Sequence, residues 1–177
     1  CKNINFKYLF SSKDYRFQTN ENEFHLYSCT KCKLIKSFPN LSKIEIDKYY
    51  PKIDYYQNII NNISHKILNK NKKFDKYIKN INSLTNLKNP KVLDYGCGDM
   101  SLVKYLSYKN FDISGYEVNQ SIKKIKDFKI FENQIFFDIE KIIKFKKKFD
   151  VIILNHVFEH LEDPLEFIQN IKKIINN

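Results

Sequence analysis

The 177-residue chain has few of the residue types that mark several classes of protein: it contains no tryptophan, three glycines and four prolines. No stretch approaches the roughly 18 consecutive apolar residues of a membrane-spanning helix. The N-terminus has no basic stretch followed by an apolar run, so the sequence indicates no signal peptide, and we expect a cytoplasmic protein without a membrane span. Hydrophobic residues make up 42% of the chain and aromatic residues 15%, which favours a folded core over disorder.

Arginine is also nearly absent, and this bears on the choice of partner. The formal net charge of +11 suggests nucleic acid, but Arg16 is the only arginine among 31 cationic side chains. Proteins that grip phosphates and bases usually recruit arginine for its fork of donors. The absence of alanine and the abundance of lysine, asparagine and isoleucine are typical of AT-rich codons. We therefore do not favour a nucleic-acid partner, and the sequence leaves the oligomeric state open.

The pattern of apolar residues divides the chain into three segments. Residues 1–40 predict a cysteine-rich ribbon, 41–90 a helical cap or linker, and 91–177 a cofactor-binding domain. The chain begins with Cys1 rather than methionine and ends in what we interpret as a helix, marked by Leu165, Ile168, Ile171, Ile174 and Ile175. We therefore expect a trimmed chain or a fragment.

Short strands and helices alternate in the last of these segments. Aromatic clusters between polar turns predict strands in the ribbon, at 6–10, 15–17 and 24–27. Apolar residues at spacings of three and four predict helices at 42–49 and about 55–83. From residue 91, helical patterns separate four apolar strands, at 92–95, 111–116, 135–137 and 149–154. This alternation predicts an α/β fold with a Rossmann-like parallel sheet and flanking helices, truncated after the fourth strand and its helix, and preceded by a small β-rich ribbon.

Two of the three glycines stand together, directly after the strand at 92–95. Gly96 and Gly98 lie where the chain must bend from strand to helix and where a ligand could approach the backbone. Glu117 follows the next strand, 19 residues beyond Gly98, close to the spacing of about 20 that separates a ribose-binding acid from such a turn. Ser101 stands where the full dinucleotide fingerprint has a third glycine, which makes a pyrophosphate cofactor less favoured. The pattern therefore predicts a nucleoside-type cofactor.

The same residues resemble a known family. The segment VLDYGCG at 92–98 resembles the first motif of class I S-adenosylmethionine-dependent methyltransferases, and Glu117 matches their ribose acid. The segment FDVIILNHVFEHLEDP at 149–164 resembles their fourth-strand motif. Together with YSCTKCKL at 27–34 and KYYP at 48–51, these motifs resemble the bacterial subgroup with an N-terminal cysteine-rich, zinc-ribbon-like segment. Members of this subgroup often act on sugars or cell-surface polysaccharide precursors.

The resemblance implies a set of cofactor contacts. Asp94, Gly96 and Gly98 would line the methionine moiety and Glu117 would bind the ribose. Asp138 would lie near the adenine amino group, and Asn155 and His156 would flank the sulfonium end. Met100 stands where the family often has a third glycine. The full set of residues predicted to bind S-adenosylmethionine is Asp94, Tyr95, Gly96, Gly98, Glu117, Asp138, Asn155 and His156.

Two histidines are the candidates for a catalytic base. Histidine is the residue type that most often serves as a general base, and helical spacing would place His156 and His160 on one face. With Glu159 they also match the H-x-x-E-H pattern of inverted zinc peptidases. We do not favour that reading, because the pattern follows a buried strand directly and Pro164 interrupts the helix soon after.

The cysteines predict a second, structural site. Cys29 and Cys32 form a C-x-x-C pair in a hairpin-like segment, where two thiolates can bind one zinc ion, and Cys1 is a plausible third ligand. His25 is the local candidate for a further ligand. The alternative is that these are free thiols in a vestigial hairpin. We expect Cys97, in the glycine turn, to be a small packing residue.

The sequence thus predicts an S-adenosylmethionine-dependent methyltransferase that acts on a small molecule or a sugar or polysaccharide precursor. One alternative is a zinc-ribbon nucleic-acid-binding module that carries an inactive Rossmann domain. Another is an NAD-dependent sugar-modifying enzyme.

Overall fold

The computed structural model describes residues 1, 3–15, 21–39, 45, 72–144, 146–161 and 163–176. These residues belong to two compact units, 1–52 and 53–177. Most residues of the predicted helices at 42–49 and 55–83 lie outside the described residues. No helix in the described ranges is long and apolar enough to cross a membrane.

The N-terminal unit is a three-stranded antiparallel sheet in the order β1-β2-β3. Strand β1 spans Phe6–Lys13, β2 spans Glu23–Cys29 and β3 spans Ile35–Phe38. The predicted strands at 6–10 and 24–27 lie within β1 and β2. The predicted strand at 15–17 falls mostly outside the described residues, and β3 was not predicted.

Aromatic rings hold this small sheet together across its strands. Tyr27 of β2 makes edge-to-face contacts with Tyr8 of β1 and with Phe38 of β3, at ring-centroid distances of 5.6 and 5.4 Å. Cross-strand aromatic pairs of this kind each contribute a few tenths of a kcal/mol to about 1 kcal/mol. The rings remain largely open to solvent, however, and Tyr8 is 50% exposed.

The C-terminal unit is a four-stranded parallel sheet with helices packed on it, in the order β6-β5-β4-β7. This confirms the predicted α/β, Rossmann-like architecture. The strands are β4 (Lys91–Tyr95), β5 (Asp112–Tyr116), β6 (Ile135–Phe136) and β7 (Val151–Leu154). The helices are α1 (Asp75–Leu84), α2 (Ser101–Tyr108), α3 (Phe128–Phe131), α4 (Ile139–Lys144) and α5 (Pro164–Ile171).

The sheet has an apolar cluster on each face because successive strand residues point to opposite sides. Val92 of β4 joins Val103 and Leu106 of α2 in one cluster. Its neighbour Leu93 joins Ile142 of α4 and Phe149 in the other. All six side chains are at most 1% exposed, so both faces of the sheet are covered by packed apolar side chains.

The last residues of the chain correct one expectation. Helix α5 ends at Ile171, so Ile174 and Ile175 are not helical. Ile175 instead forms a parallel bridge with Phe149, whose N–H donates to the Ile174 carbonyl and whose carbonyl accepts from Asn176. The isoleucine spacing fitted a helix, but pairing beside Phe149 satisfies these backbone groups and buries Ile174 completely.

Candidate active site

The turn after β4 adopts backbone conformations that suit glycine. Gly96 and Gly98 have φ angles of +77° and +52°. A Cβ on Gly96 would lie 2.5 Å from Cγ2 of Val157, whereas a Cβ on Gly98 would have no neighbouring atom within 4 Å. Met100, where the family often has glycine, also has a positive φ of +61°, and its side chain is fully buried in the core. Gly96 therefore permits close packing, and Gly98 leaves its backbone accessible.

Glu117, at the end of β5, lies beside this turn. Its Oε2 accepts a hydrogen bond from the Gly98 N–H at 3.0 Å, and its Oε1 accepts one from the Asn119 N–H at 2.9 Å. The residue is only 7% exposed. The parallel register places the ends of β4 and β5 side by side, which brings Glu117 to Gly98 across 19 residues. The structure thus places Glu117 in contact with Gly98, the two residues that their spacing in the sequence had associated.

Asp94 is a buried carboxyl in the same place. It is 4% exposed at the end of β4. Burial, followed by the negative charges of Asp99 and Glu117, raises the pKa of Asp94 to about 7. Asp99 is held locally, since its carboxylate accepts hydrogen bonds from the N–H and hydroxyl of Ser101 at the start of α2. Three carboxyl groups therefore surround the turn, an arrangement that favours a cationic ligand.

A cleft of about 190 Å³ opens at this edge of the sheet. It is lined by the glycine turn, the start of α2, and residues at and just before the start of α1. Tyr77 of α1 donates a hydrogen bond to Oδ1 of Asn155, just after β7, at 2.7 Å. The lining residues are Lys73, Phe74, Tyr77, Asp94, Gly96, Cys97, Asp99, Ser101, Leu102 and Asn155.

The segment after β7 differs from the sequence expectation. His156 has a positive φ of +55°, and residues Phe158–His160 form a short 3-10 helix. His156 and His160 therefore do not lie on one face of an α-helix, and that expectation was wrong. The sharp bend at His156 places Val157 against Gly96, which a continuous helix could not do. The His156 side chain is 84% exposed, with Nδ1 3.3 Å from Oε1 of Glu159.

Besides His156, four residues predicted to bind the cofactor lie outside the cleft lining: Tyr95, Gly98, Glu117 and Asp138. Glu117 is bonded to Gly98, the residue between the lining residues Cys97 and Asp99. Tyr95 follows Asp94 in β4, so its side chain points to the other face, where it packs on Tyr116 and Phe167 at 4.5 and 5.0 Å between ring centroids. Asp138 is exposed, and its Oδ1 accepts a hydrogen bond from the Glu140 N–H in the first turn of α4. The proposed adenine contact of Asp138 and the cofactor role of Tyr95 remain predictions.

The main residues that sequence reasoning missed belong to α1 and its approach. Phe74 and Tyr77 line the cleft, and a hydrogen bond from the Tyr105 hydroxyl to Asp75 ties this helix to α2. Phe74 also packs on Tyr105 at 5.3 Å between ring centroids. The signal that could have found them is the break in the isoleucine pattern, where two aromatic residues occupy the apolar face of the predicted helix.

The three candidate metal ligands come together in the N-terminal unit. The Sγ atoms of Cys1, Cys29 and Cys32 lie within 4.8 Å of one another, and those of Cys1 and Cys29 are 3.7 Å apart. Hydrogen bonds, chiefly from the Cys32 backbone and the Asn3 side chain, lower the pKa of Cys29 to about 6. His25 is not in this group, and its Nδ1 lies 2.7 Å from the Ser11 hydroxyl.

Cys97 behaves as a packing residue, as expected. It is 6% exposed in the apolar cluster under the glycine turn, and burial raises the pKa of its thiol. A thiol in that state is a poor nucleophile.

A parallel sheet in which an acidic residue at one strand end contacts the glycine turn after the neighbouring strand, with a cleft beside that turn, has the features of a nucleoside-binding α/β domain. Residues 68–177 match the family model described as a methyltransferase domain. The chain therefore belongs to this methyltransferase family, as the sequence motifs predicted.

Relatives and solved structures show how far the likeness extends. The chain is 30% identical over 93 residues to the ubiquinone biosynthesis O-methyltransferase of Pelagibacter ubique strain HTCC1062, covering 50% of this chain and 39% of that protein. It is 28% identical over 103 residues to the protein of the same name from Coxiella burnetii strain Dugway 5J108-111, covering 55% and 44%. The chain thus spans less than half the length of these relatives.

A structure of the plantazolicin methyltransferase BpumL with a pentazolic desmethylPZN analogue and SAH superposes with a TM-score of 0.49 at 21% identity. The superposition covers 70% of this chain and 51% of that one.

Proposed function

We propose that the cleft binds S-adenosylmethionine and that the protein of which this domain is part transfers its methyl group to a small molecule or a sugar or polysaccharide precursor. The observation that carries the proposal is the contact of Glu117 with Gly98 beside buried Asp94. Membership of the methyltransferase family supports the class of reaction. The relatives named as O-methyltransferases favour a hydroxyl acceptor.

The carboxylate of Glu117 suits the ribose. A carboxylate offers about four acceptor positions, and the N–H groups of Gly98 and Asn119 use two of them. The remaining positions can accept hydrogen bonds from the two hydroxyls of a ribose. A charge-assisted bond of this kind is roughly twice as strong as a neutral one.

Asp94 and Asp99 can bind the amino-acid end of S-adenosylmethionine. A buried carboxylate is stabilised when a cationic group of the ligand lies beside it. The Asp94 carboxyl has a pKa near 7 in the free protein. An ammonium or sulfonium group placed beside it would lower that pKa and stabilise the ionised form. Binding should therefore strengthen as the pH rises through 7.

The reaction itself depends mainly on positioning. S-adenosylmethionine supplies a methyl group already activated on a positively charged sulfur. In the transfer, an electron pair of the acceptor forms the bond to the methyl carbon as the carbon–sulfur bond breaks and leaves its electrons on sulfur. The protein has to hold the two groups in line, and for a hydroxyl acceptor a base takes the released proton. His156, beside the cleft residue Asn155, and His160 remain the candidates for that base.

Calorimetry on the full 177-residue chain tests the proposal. S-adenosylhomocysteine should bind, and Glu117→Gln should weaken its binding by about 1–3 kcal/mol, since a charge-assisted bond to hydroxyls is lost. Glu140→Gln, a matched change at an exposed site in α4, should leave the affinity unchanged. Binding of NAD alone would instead favour the dinucleotide enzyme, and binding of neither small ligand but of RNA or DNA would favour the nucleic-acid module.

We further propose that Cys1, Cys29 and Cys32 hold a structural zinc ion. Thiolates about 2.3 Å from a tetrahedral zinc lie about 3.8 Å apart, and the 3.7 Å between the sulfurs of Cys1 and Cys29 fits that spacing. Elemental analysis of the purified chain should find about one zinc per molecule. Cys32→Ser should lose it and Cys97→Ala should retain it, while equal zinc in both variants would contradict this site.

A further inference from the structure

One hydrogen bond ties α1 to the segment after β7 across the cleft. The Tyr77 hydroxyl donates to Oδ1 of Asn155 at 2.7 Å, between residues 78 positions apart in the chain. Both side chains line the cleft, and so does Asp94. Tyr77 itself is only partly exposed, and α1 is anchored on its far side by the bond from Tyr105 to Asp75. The bond to Asn155 therefore orients the Tyr77 hydroxyl at the cleft.

This wall of the cleft presents oxygen atoms. The Tyr77 hydroxyl keeps acceptor lone pairs after it donates its proton, and the Asn155 carbonyl keeps a second lone pair. Burial, followed by the negative charge of Asp94, raises the pKa of the Tyr77 hydroxyl. The cation among the lining residues, Lys73, has its Nζ 4.7 Å from the centroid of the Phe74 ring. The side formed by Tyr77, Asn155 and Asp94 is thus negative in character.

We infer that Tyr77, paired with Asn155, is a specificity-determining residue that makes the cleft favour a cationic sulfonium ligand over the neutral thioether that remains after methyl transfer. The inference rests on the proposed function, since it assigns a role within the same cleft. It goes beyond that function because the sequence motifs assign nothing to α1.

Two physical effects distinguish the ligands at this wall. Methyl and methylene hydrogens on a sulfonium carry extra positive charge and make stronger C–H···O contacts than those of a thioether. The full positive charge also interacts with the Asp94 carboxylate, which is 4% exposed and is therefore less screened by water than a surface carboxylate. Both effects vanish when the methyl group leaves with the charge, so the same wall would hold the donor more tightly than the product.

The test compares S-adenosylmethionine and S-adenosylhomocysteine by calorimetry at pH 8, where Asp94 is ionised. Tyr77→Phe keeps the ring and removes the hydroxyl. We expect it to reduce the preference for the cationic ligand, measured as the ratio of the two dissociation constants, by about two- to fivefold. Tyr108→Phe makes the same change at a tyrosine of α2 that is 42% exposed and does not line the cleft, so it should leave that ratio unchanged.

A double-mutant cycle separates the pair from two independent contacts. Because Tyr77 and Asn155 act as a unit, Tyr77→Phe combined with Asn155→Ala should lower the ratio no further than the stronger single change. Equal weakening of both ligands by Tyr77→Phe would show a merely structural role and overturn the inference, as would a ratio that stays constant. If the unaltered chain binds neither ligand, the proposed function fails and this inference with it, whereas binding of both with an unchanged ratio in Tyr77→Phe overturns only the inference.

Discussion

The two units of this protein are stabilised in different ways. In the described part of residues 1–52, Cys29 is the only buried apolar residue, at 1% exposure, and aromatic side chains such as Phe10 remain 53% exposed. The C-terminal unit buries an apolar cluster on each face of its sheet. A small sheet with so little buried surface needs an additional constraint, whereas a two-faced sheet gains enough from burial alone.

This difference in stabilisation agrees with where the cysteines and glycines lie in the two units. In the first unit the chemistry of the sequence is concentrated in three thiols that lie within 4.8 Å of one another. In the second unit it is concentrated at the glycine turn, where Val157 packs closely on Gly96 and the space next to Gly98 is open for a ligand. Stability and binding therefore depend on separate residues in the two units, and variants in one should leave the other unaffected.

The largest effect should follow loss of the thiol cluster. Cys29→Ser removes its buried member, and since structural zinc contributes directly to folding, we expect β1 to β3 to lose protection from hydrogen exchange. Strands β4 to β7 should keep theirs, and S-adenosylhomocysteine affinity should not change. Exchange mass spectrometry measures both regions in one experiment, and parallel loss of protection in both would mean that they fold as one unit.

A smaller effect, confined to the C-terminal unit, should follow Asp94→Asn. Because the folded state raises the pKa of this carboxyl from 3.8 to about 7, its contribution to stability is fully present below pH 4 and is lost as the pH rises to 7. The asparagine variant avoids that loss and should gain up to about 4 kcal/mol at pH 8 and nothing at pH 3.5.

Urea unfolding at the two pH values measures the change in the free energy of unfolding for Asp94→Asn. The same variant should bind S-adenosylhomocysteine more weakly, because the ligand's ammonium group loses its anionic partner. A gain of stability that is equal at both pH values would contradict the raised pKa.

The glycine turn offers the sharpest test inside the C-terminal unit. Gly96→Ala should destabilise it by about 2–4 kcal/mol, since the new Cβ meets Val157 at 2.5 Å and φ is positive. Gly98→Ala has the same unfavourable φ but open space, so it should cost only about 1–2 kcal/mol of stability.

Binding should show the reverse order for these two variants. The open space above Gly98 is where the ligand would approach, so Gly98→Ala should weaken S-adenosylhomocysteine binding more than its loss of stability suggests. Thermal unfolding and calorimetry measure the two quantities. If Gly96→Ala proves the milder change for stability, Val157 does not pack on the turn as described.

Much of the fold could be predicted because its signals are local. The strand Val92–Tyr95, the bend at Gly96 and Gly98 and the helix after it follow one another directly, and each has its own residue pattern. Glu117 could be linked to Gly98 because consecutive parallel strands end at the same edge. The alternation of strands and helices likewise predicted the parallel sheet.

The misses have a common cause in contacts between distant residues. His156 fits a helical pattern, but packing of the next residue, Val157, on Gly96 requires a bend there. Ile175 fits the same pattern as Ile171, but pairing with Phe149 satisfies its backbone instead. Strand β3 has only four residues and forms by pairing with β2, so its own sequence carries a weak signal.

The amino-acid sequence by itself determined the α/β class, the methyltransferase family, the glycine turn and the acid that faces it, because these depend on patterns within a few residues or on one strand-to-strand step. Only the tertiary structure decided that Tyr77 meets Asn155 and that Asp94 is buried among carboxylates. The reason is physical: side chains that lie far apart in the chain are brought together by burial and strand pairing, which no local pattern records.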